Sequence, residues 1–525
     1  DRIPRVQEMD EKLQRLGWGA VAVEGFIPSP AFLEFQARGI LPIAVDMRTV
    51  NHIAYTPAPD IVHEAAGHAP IIADAEYAAY LRQYARMAQK AILSHEDIEL
   101  YEAIRTLSDV KENPDVSRDV VDDADEKFKK VSKSIAAVSE AGQMARMAWW
   151  TVEYGLVGDP KNPRIYGAGL LSSVGESQHC LSAAVKKIPL TVACVEQSYD
   201  ITEPQPQLFV ARDLRHLVTV LGEFEKTLAY IRGGAESVEK ARAARTVNTV
   251  VLNGTVEASG IVESLEARGA DVEFFKMRGP VQLAAGEREL PGQGRGRHAQ
   301  GFSTPVGRWK AYADRDPQTL SDSDLERTGM GKGKRARLEF VNGFVIEGQV
   351  RSWLRGGSQR LALMTFSDCR VSRGGKTYFD PEWGEFDLLV GDKVTSVYSG
   401  PADREAYGEF EMGEASTKPG RTSPYTVDER RVFALHGRTQ ALRAGSPAPA
   451  AAESEMREVL KTLVSDHPDE WLVAIELIEL CHRVLKKDPQ SLPWMAPAFA
   501  LLSERKHDPA IQEMIQKGIG LAATA

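Results

Sequence analysis

The sequence is short of cysteine, of long apolar runs and of basic excess, and each shortage closes off a class of function. Its four cysteines, Cys180, Cys194, Cys369 and Cys481, are scattered over 525 residues with no C-x-x-C pair. That leaves neither a disulfide framework nor a cysteine zinc site, and suits reduced thiols in a cytoplasmic protein. No run of about eighteen apolar residues occurs, so no membrane-spanning helix is expected. A formal net charge of −10 argues against non-specific nucleic-acid binding. An initiating methionine is also missing: the chain starts at Asp1, as it would if a preceding segment had been trimmed. What remains is an ordinary globular composition, 43% hydrophobic and 26% charged, long enough for about two to four domains with buried cores.

The most specific stretch is Tyr55-Thr-Pro-Ala-Pro-Asp-Ile-Val-His-Glu-Ala-Ala-Gly-His-Ala-Pro70, which gathers two histidines, two carboxylates and three prolines. Neutral imidazoles beside carboxylates suit a transition metal. The zinc-protease pattern His-Glu-x-x-His places its histidines four apart on one helical face. Here His68 is five after His63, and a fifth position lies roughly 140° round an ideal helix. The pair converges only if the backbone is irregular at this point, which Gly67 and the flanking prolines allow. A third ligand is offered downstream by Glu153 in Trp149-Trp-Thr-Val-Glu153-Tyr-Gly-Leu. Two histidines and a carboxylate on one side of a metal, with the other side open, is the arrangement of non-haem Fe(II) oxygenases.

Asp60-Ile-Val-His63-Glu-Ala-Ala-Gly-His68-Ala-Pro, Thr151-Val-Glu153-Tyr-Gly-Leu and Tyr166-Gly-Ala-Gly-Leu-Leu-Ser-Ser-Val-Gly-Glu176 follow one another in this order. Together they resemble the pterin-dependent aromatic amino acid hydroxylases, a likeness that runs from about Ile3 to about Gly234. The resemblance implies a mainly helical catalytic domain that uses Fe(II), O2 and a tetrahydropterin (tetrahydrobiopterin or a related pterin) to hydroxylate an aromatic ring. It implies His63, His68 and Glu153 as metal ligands, with Glu64 touching the pterin. It places backbone around Gly25, Phe26 and Ile27 on the pterin ring, Ser29 near it and Phe32 stacked on it, which suits a flat polar heterocycle. Arg48 is implied as the clamp on the substrate carboxylate, matched two-pronged by a guanidinium, with Asp60 orienting it and Thr56 in contact with substrate. Gly169, Ser172 and Ser173 would line the substrate pocket, and Glu176 would hold its loop. Trp149 and Ile201 stand where the phenylalanine-specific members carry tryptophan and an aliphatic residue, and an apolar floor suits an unsubstituted ring. Ala148 departs from the family, where a tyrosine is common. His179, Cys180 and Glu203 are expected to pack rather than to ligate.

Between His68 and Glu153 the interval is about twice the family's usual one, and residues 90–135 read as a helical insertion. Its run Asp122-Asp-Ala-Asp-Glu-Lys-Phe-Lys-Lys has the look of a solvated helix face. Beyond about Gly234 the resemblance ends. Residues 246–415 are β-rich, with Asn342-Gly343 as a hairpin turn, and are expected to form a small barrel or sandwich. Their basic glycine-rich loops, 292–297 and 331–337, match no phosphate-binding fingerprint. Residues 416–452 have the Pro, Ala, Gly and Ser content of a linker, and 453–525 read as amphipathic helices.

The expectation is therefore a multidomain enzyme: a hydroxylase domain over residues 1–240, a β-rich domain and C-terminal helices. Its substrates would be free phenylalanine, O2 and a tetrahydropterin, with no nucleic acid and no membrane, and its second half offers surface for self-association. Two alternatives stand beside it. One is hydroxylation of tryptophan or another aromatic amino acid. The other is a non-catalytic aromatic amino acid sensor, which would need Arg48 but not Glu153.

Overall fold

Apolar residues at helical spacing set the first half of the chain, and polar caps set where many of its helices begin. The computed structural model describes residues 3–23, 27–48, 59–112, 116–135, 137–199, 204–357, 359–410, 426–503 and 509–524. The chain opens with α1 (Val6–Gln14), β1 (Gly19–Val23), α2 (Ser29–Ala37) and β2 (Ile40–Ala44), and β1 pairs with β2 in parallel. Asp60 caps α3 (Ile61–His63), which runs through a π-helical turn at Glu64–His68 into α4 (Ala69–Ile71). Asp74 then caps α5 (Ala75–Ala88), accepting from Glu76 and Tyr77 N–H.

The stretch expected to be an insertion holds a helical pair, α6 (His95–Glu112) and α7 (Arg118–Ser134). Among its described residues α7 buries only Ala124, so the charged run stands at or near the surface. Ser139 caps α8 (Glu140–Ala148), which passes into a second π-helical turn at Trp149–Glu153. After it come β3 (Leu156–Asp159), β4 (Asn162–Ile165), α9 (Ala168–Leu171), α10 (Glu176–His179), β5 (Lys186–Pro189) and β6 (Gln207–Ala211). These strands form one sheet in the order β4-β3-β6-β5. The helices α11 (Leu214–Glu225), α12 (Ala229–Arg232) and α13 (Gly234–Ala244) end this part. Its core gathers Trp18, Tyr77, Tyr80, Leu81, Trp150 and Phe224, all buried.

The β-rich half begins with β7 (Val247–Leu252), β8 (Val256–Arg268), β9 (Asp271–Ala285) and β10 (Gly301–Pro305). After α14 (Asp322–Arg327) follow β11 (Arg335–Glu339), β12 (Val345–Arg355), β13 (Leu361–Arg373), β14 (Lys376–Phe379), β15 (Phe386–Leu389) and β16 (Val394–Ser399), then α15 (Arg404–Tyr407). One antiparallel sheet has the order β10-β9-β8-β7-β16; the other is β11-β12-β13-β14, with β15 on β13. The expected Asn342-Gly343 turn closes the β11–β12 hairpin: Gly343 has φ +90° and Phe340 N–H donates to the Phe344 carbonyl. The helical and β-rich parts share one compact unit. Helix α13 joins them, placing Val238, Ala241 and Ala244 in a cluster with Val250, Leu252 and Val394.

A second unit holds the C-terminal helices, with residues 173–175 grouped with them. Here the structure corrects the expected linker. Residues Val427–Ala444 form α16, and Pro449–Asp466 form α17. A Thr426–Glu429 capping box starts α16, and Leu435 and Leu442 enter the core of this unit. The composition of 416–452 hides that helix because its arginines and alanines are good helix formers diluted by the Pro-rich turn after it. The unit ends with α18 (Trp471–Leu480), α19 (Ala496–Ser503) and α20 (Pro509–Ala522). Among the described residues no helix is long and apolar enough to cross a membrane.

Candidate metal centre

The awkward spacing of His63 and His68 is resolved by the backbone. In the π turn the Ala69 N–H reaches the Glu64 carbonyl, an i to i+5 bond, so residues five apart come to one side of the helix. The two imidazole Nε2 atoms lie 3.0 Å apart. Such π turns are rare and gather at functional sites. Gly67 is what lets this one sit where it does: a Cβ there would stand 2.6 Å from the Ala168 carbonyl oxygen and 2.8 Å from the Ala168 Cβ. Gly67→Ala should therefore push the turn off α9, destabilise the fold by about 1–3 kcal/mol and lower metal content. Gly222→Ala, in mid-helix with nothing within 4 Å of the new Cβ, should leave both intact. Thermal melting and metal analysis of the two variants check this.

Glu153 ends the second π turn and completes the cluster. Its carboxylate oxygens lie 3.2 Å from His68 Nε2 and 3.4 Å from His63 Nε2. Ligand atoms about 2.1 Å from a metal are roughly 3.0 Å apart at right angles and about 3.4 Å apart at tetrahedral ones. The three spacings fall in that range, so the donor set fits one cation bound on one side. Glu64 lies in the same cluster, its ligand oxygen within 4.8 Å of the two histidines. Among the described residues its Oε2 is buried with no hydrogen-bond partner, an orphan acceptor that suits a cation or a donor from a bound molecule.

The electrostatics agree. Burial drives the His63 pKa down to about 4, which keeps a lone pair available. Burial opposes charge on His68 too, but the Glu153 carboxylate beside it outweighs that and raises it to about 9. Burial would raise Glu153, yet the two histidines hold it down at about 2. A proton on His68 thus stands where a cation's charge would stand. Burial lifts Glu64 to about 7.

Neighbouring groups fix the side chains of the cluster. Ser172 Oγ donates to the Ala168 carbonyl at 2.8 Å and lies 3.0 Å from His63 Nδ1. With its one proton committed, the hydroxyl can only accept from His63, which places the imidazole proton on Nδ1 and frees Nε2. Gly169 N–H donates to the Glu153 carboxylate. Both residues were expected to line the substrate pocket; their visible contacts are to His63 and Glu153.

Asp60 is the second hub. It accepts from Arg48 Nε (2.8 Å), Arg48 Nη2 (2.7 Å), Arg48 N–H (2.8 Å) and His63 N–H (2.9 Å). Burial raises its pKa, but Arg48 and the two backbone N–H groups outweigh it and hold the carboxyl below its usual range. Arg48 Nη1 donates to the Ser172 carbonyl at 2.7 Å. Among the described residues three of the five guanidinium N–H groups are thereby used, and one on each of Nη1 and Nη2 has no partner, donors that a carboxylate could take.

Trp149 lies between two tyrosines. Tyr154 stacks on it at 4.5 Å and Tyr199 at 4.4 Å between ring centroids. A substrate could meet its edge, where Nε1–H is buried with no partner among the described residues, but not its faces. Tyr154 and Tyr199 were missed in the sequence, although both adjoin expected site residues. Of the residues expected to hold a pterin, Ser29 opens α2 and Phe32 lies three further on, so the two share a helix face. Ile27 is half-buried just before them. Gly25, Phe26, Thr56, Ile201 and Glu203 lie outside the described residues. Ser173 is buried and grouped with the second unit. His179 is exposed, and the buried Cys180 thiol is pushed up to about 11 by burial, as inert packing would have it.

Residues 1–102 and 118–235 match the family model described as biopterin-dependent aromatic amino acid hydroxylase. The unmatched 103–117 cover the second half of α6 and the connection to α7. The chain is 30% identical to phenylalanine-4-hydroxylase of Chromobacterium violaceum over 185 residues, 35% of this chain and 48% of that one. It is 30% identical to the Bos taurus phenylalanine-4-hydroxylase over 231 residues, 43% of this chain and 41% of that one. With the Pseudomonas aeruginosa phenylalanine-4-hydroxylase the identity is 27% over 225 residues, 42% of this chain and 69% of that one. The solved structure of the Chromobacterium violaceum phenylalanine hydroxylase, with bound iron(III) and 7,8-dihydrobiopterin, is similar at 27% identity and a TM-score of 0.32, covering 43% of this chain and 68% of that one. The chain thus spans about half the length of the first curated relative. Over its first 235 residues it resembles the pterin-dependent aromatic amino acid hydroxylases in sequence, and phenylalanine hydroxylases among them.

Proposed function

We propose that residues 1–235, a pterin-dependent aromatic amino acid hydroxylase segment by sequence, hydroxylate the ring of free phenylalanine to tyrosine with Fe(II), O2 and a tetrahydropterin. The observation that carries this is the meeting of His63, His68 and Glu153 within 3.4 Å of one another, inside a segment that the family model matches. Iron and pterin, when bound, supply the activation of O2 and the transfer of oxygen to the ring. The chain's own residues do the rest. His63 and His68 present Nε2 lone pairs and Glu153 a carboxylate, on one side of the cation. Ser172 sets the His63 tautomer, and Gly169 holds Glu153 in place. Arg48, braced by Asp60, takes the amino acid carboxylate with its two remaining N–H groups and so aims the ring. Glu64, Gly25, Phe26, Ile27, Ser29 and Phe32 would hold the pterin. Thr56, Ser173, Ile201 and the edge of Trp149 would surround the ring.

Arg48→Lys keeps the charge and loses the fork. It should raise KM for phenylalanine by about 10- to 100-fold, the worth of one or two charge-assisted hydrogen bonds, and steady-state kinetics measure it. For the second half we propose a small barrel or sandwich, which its two antiparallel sheets support, and free cysteines suit a cytoplasmic setting.

A coupled assay tests the reading: purified protein, Fe(II), a synthetic tetrahydropterin, O2 and each aromatic amino acid in turn, with products identified by mass. Tyrosine formed in step with pterin oxidation supports it. Hydroxylated tryptophan instead would keep the class and change the substrate. No product from any of them, with phenylalanine bound as tightly by a Glu153→Ala variant, would make the protein a sensor.

A further inference from the structure

The helix that ends in Glu153 is laced to α5, the helix that follows the His68 turn in the chain, by polar contacts that the proposed chemistry does not use. At the end far from the cluster, Ile92 N–H donates to the buried Glu140 carboxylate at 3.2 Å, and Ala141 N–H donates to the Ile92 carbonyl at 3.1 Å. Further along, the Tyr84 hydroxyl donates to the Met144 carbonyl at 2.8 Å. Nearest the cluster, the Tyr80 hydroxyl lies 2.7 Å from Thr151 Oγ1, and Thr151 Oγ1 donates to the Met147 carbonyl at 2.6 Å. As the partner on the α5 side falls from Ile92 to Tyr84 to Tyr80, the partner on the α8 side rises from Glu140 to Met144 to Thr151. The helices therefore run antiparallel, and His68 and Glu153 sit at the same end of the pair.

The last contact has a direction. Thr151 has one hydroxyl proton, and the Met147 carbonyl takes it, so Tyr80 donates and Thr151 accepts. Thr151 is also placed within the π turn at Trp149–Glu153, two residues before the ligand. Such a turn amounts to one residue inserted in an α-helix. Annealing it to an ordinary α turn would swing Glu153 by roughly 100° about the axis and take its carboxylate off both imidazoles. A rare backbone form persists where its surroundings over-determine it. Tyr80 and Thr151 are both buried, and phenylalanine and valine would fill the same space without hydroxyls that need partners.

We infer that Tyr80 and Thr151 are positioning residues: a hydroxyl relay, from Tyr80 to Thr151 to the Met147 carbonyl, that locks the π turn and sets where Glu153 stands relative to His63 and His68. The inference rests on the reading of those three residues as metal ligands. It gives the tyrosines of α5 a task beyond packing, because Tyr80 and Tyr84 each hold one point of the helix that ends in the carboxylate.

The test uses the full chain and Co(II) as probe, with affinity read from the visible absorption of the bound ion and stability from thermal melting. Thr151→Val should weaken Co(II) binding by about 10- to 100-fold, as loss of a group that orients a ligand does. Thr151→Ser, which keeps the hydroxyl, should bind as the unmodified chain does. Tyr80→Phe should lose about 10-fold, and the double variant should be no worse than Thr151→Val, since the two groups act in series. Should Thr151→Val fail to fold, Tyr80→Phe, which removes a single oxygen, decides. A merely structural pair would lower the melting temperature and leave Co(II) affinity unchanged, and that result overturns the relay. Full Co(II) binding by the unmodified chain with no tyrosine formed would overturn the proposed activity and leave the relay standing. No Co(II) binding by the unmodified chain would overturn both.

Discussion

Replacing His63 with alanine should abolish metal binding and turnover together while leaving the fold in place. The side chain supplies one of three donors that meet within 3.4 Å, and a cation held by the remaining pair loses both the chelate and the charge geometry around it. Groups one step removed from a metal already cost about 10- to 100-fold in affinity when changed, so loss of a donor should cost at least about 100-fold. The fold survives because the part of His63 that caps the helix start is its backbone N–H, which donates to Asp60, and alanine keeps that. Iron content after dialysis and the rate of tyrosine formation measure the effect. An iron-replete, active His63→Ala protein would refute the ligand set.

Asp60→Ala should be the most destabilising single change near the centre. It removes an acceptor of four hydrogen bonds and leaves the Arg48 guanidinium buried without its counter-charge. Breaking a buried pair in this way costs about 3–5 kcal/mol. Asp60→Asn, which keeps shape and some acceptor capacity, should cost less. The pH dependence has a definite sign. The Asp60 carboxyl titrates below its usual range in the folded chain, so its stabilisation is present above the unfolded value of about 3.9. It is lost as pH falls through the lower folded value. The gap in stability between the unmodified chain and Asp60→Asn should therefore be constant from neutral pH to about pH 4 and shrink below it. Calorimetric scans of both proteins across that range measure it; a gap that widens in acid would contradict the assignment.

Much of the centre could be read from the residues before any coordinates. Histidines five apart conflict with an ideal helix, and that conflict pointed to an irregular turn at His63, allowed by Gly67 and the flanking prolines, without saying which kind. The π turn follows from the close approach of Gly67 to Ala168, a contact across a hundred residues that no local pattern holds. The same limit hid the work of Ser172 and Gly169. Short polar residues in a loop read as pocket lining, and only the fold shows that one orients His63 and the other holds Glu153. Trp149 was singled out in the sequence, but its two tyrosine neighbours come from either side of the chain and cover both faces. Tyr77, Tyr80 and Tyr84 recur at helical spacing, a sign of a buried face that does not tell which hydroxyls are used. In the second half, alternating apolar residues and the Asn342-Gly343 turn gave strands. Helix α16 was masked by a composition that suits a linker as well as a helix, and its capping box at Thr426 was the signal that could have found it.

The measurement that bears most directly on the proposed function is the fate of isotopically labelled oxygen gas. The protein, Fe(II), a tetrahydropterin and phenylalanine are incubated under the labelled gas, and the tyrosine is weighed by mass spectrometry. The account predicts one labelled oxygen atom on the ring, at the para position, in the unmodified chain and none in Glu153→Ala. Tyrosine carrying unlabelled oxygen, or labelled tyrosine formed equally well without Glu153, would contradict it.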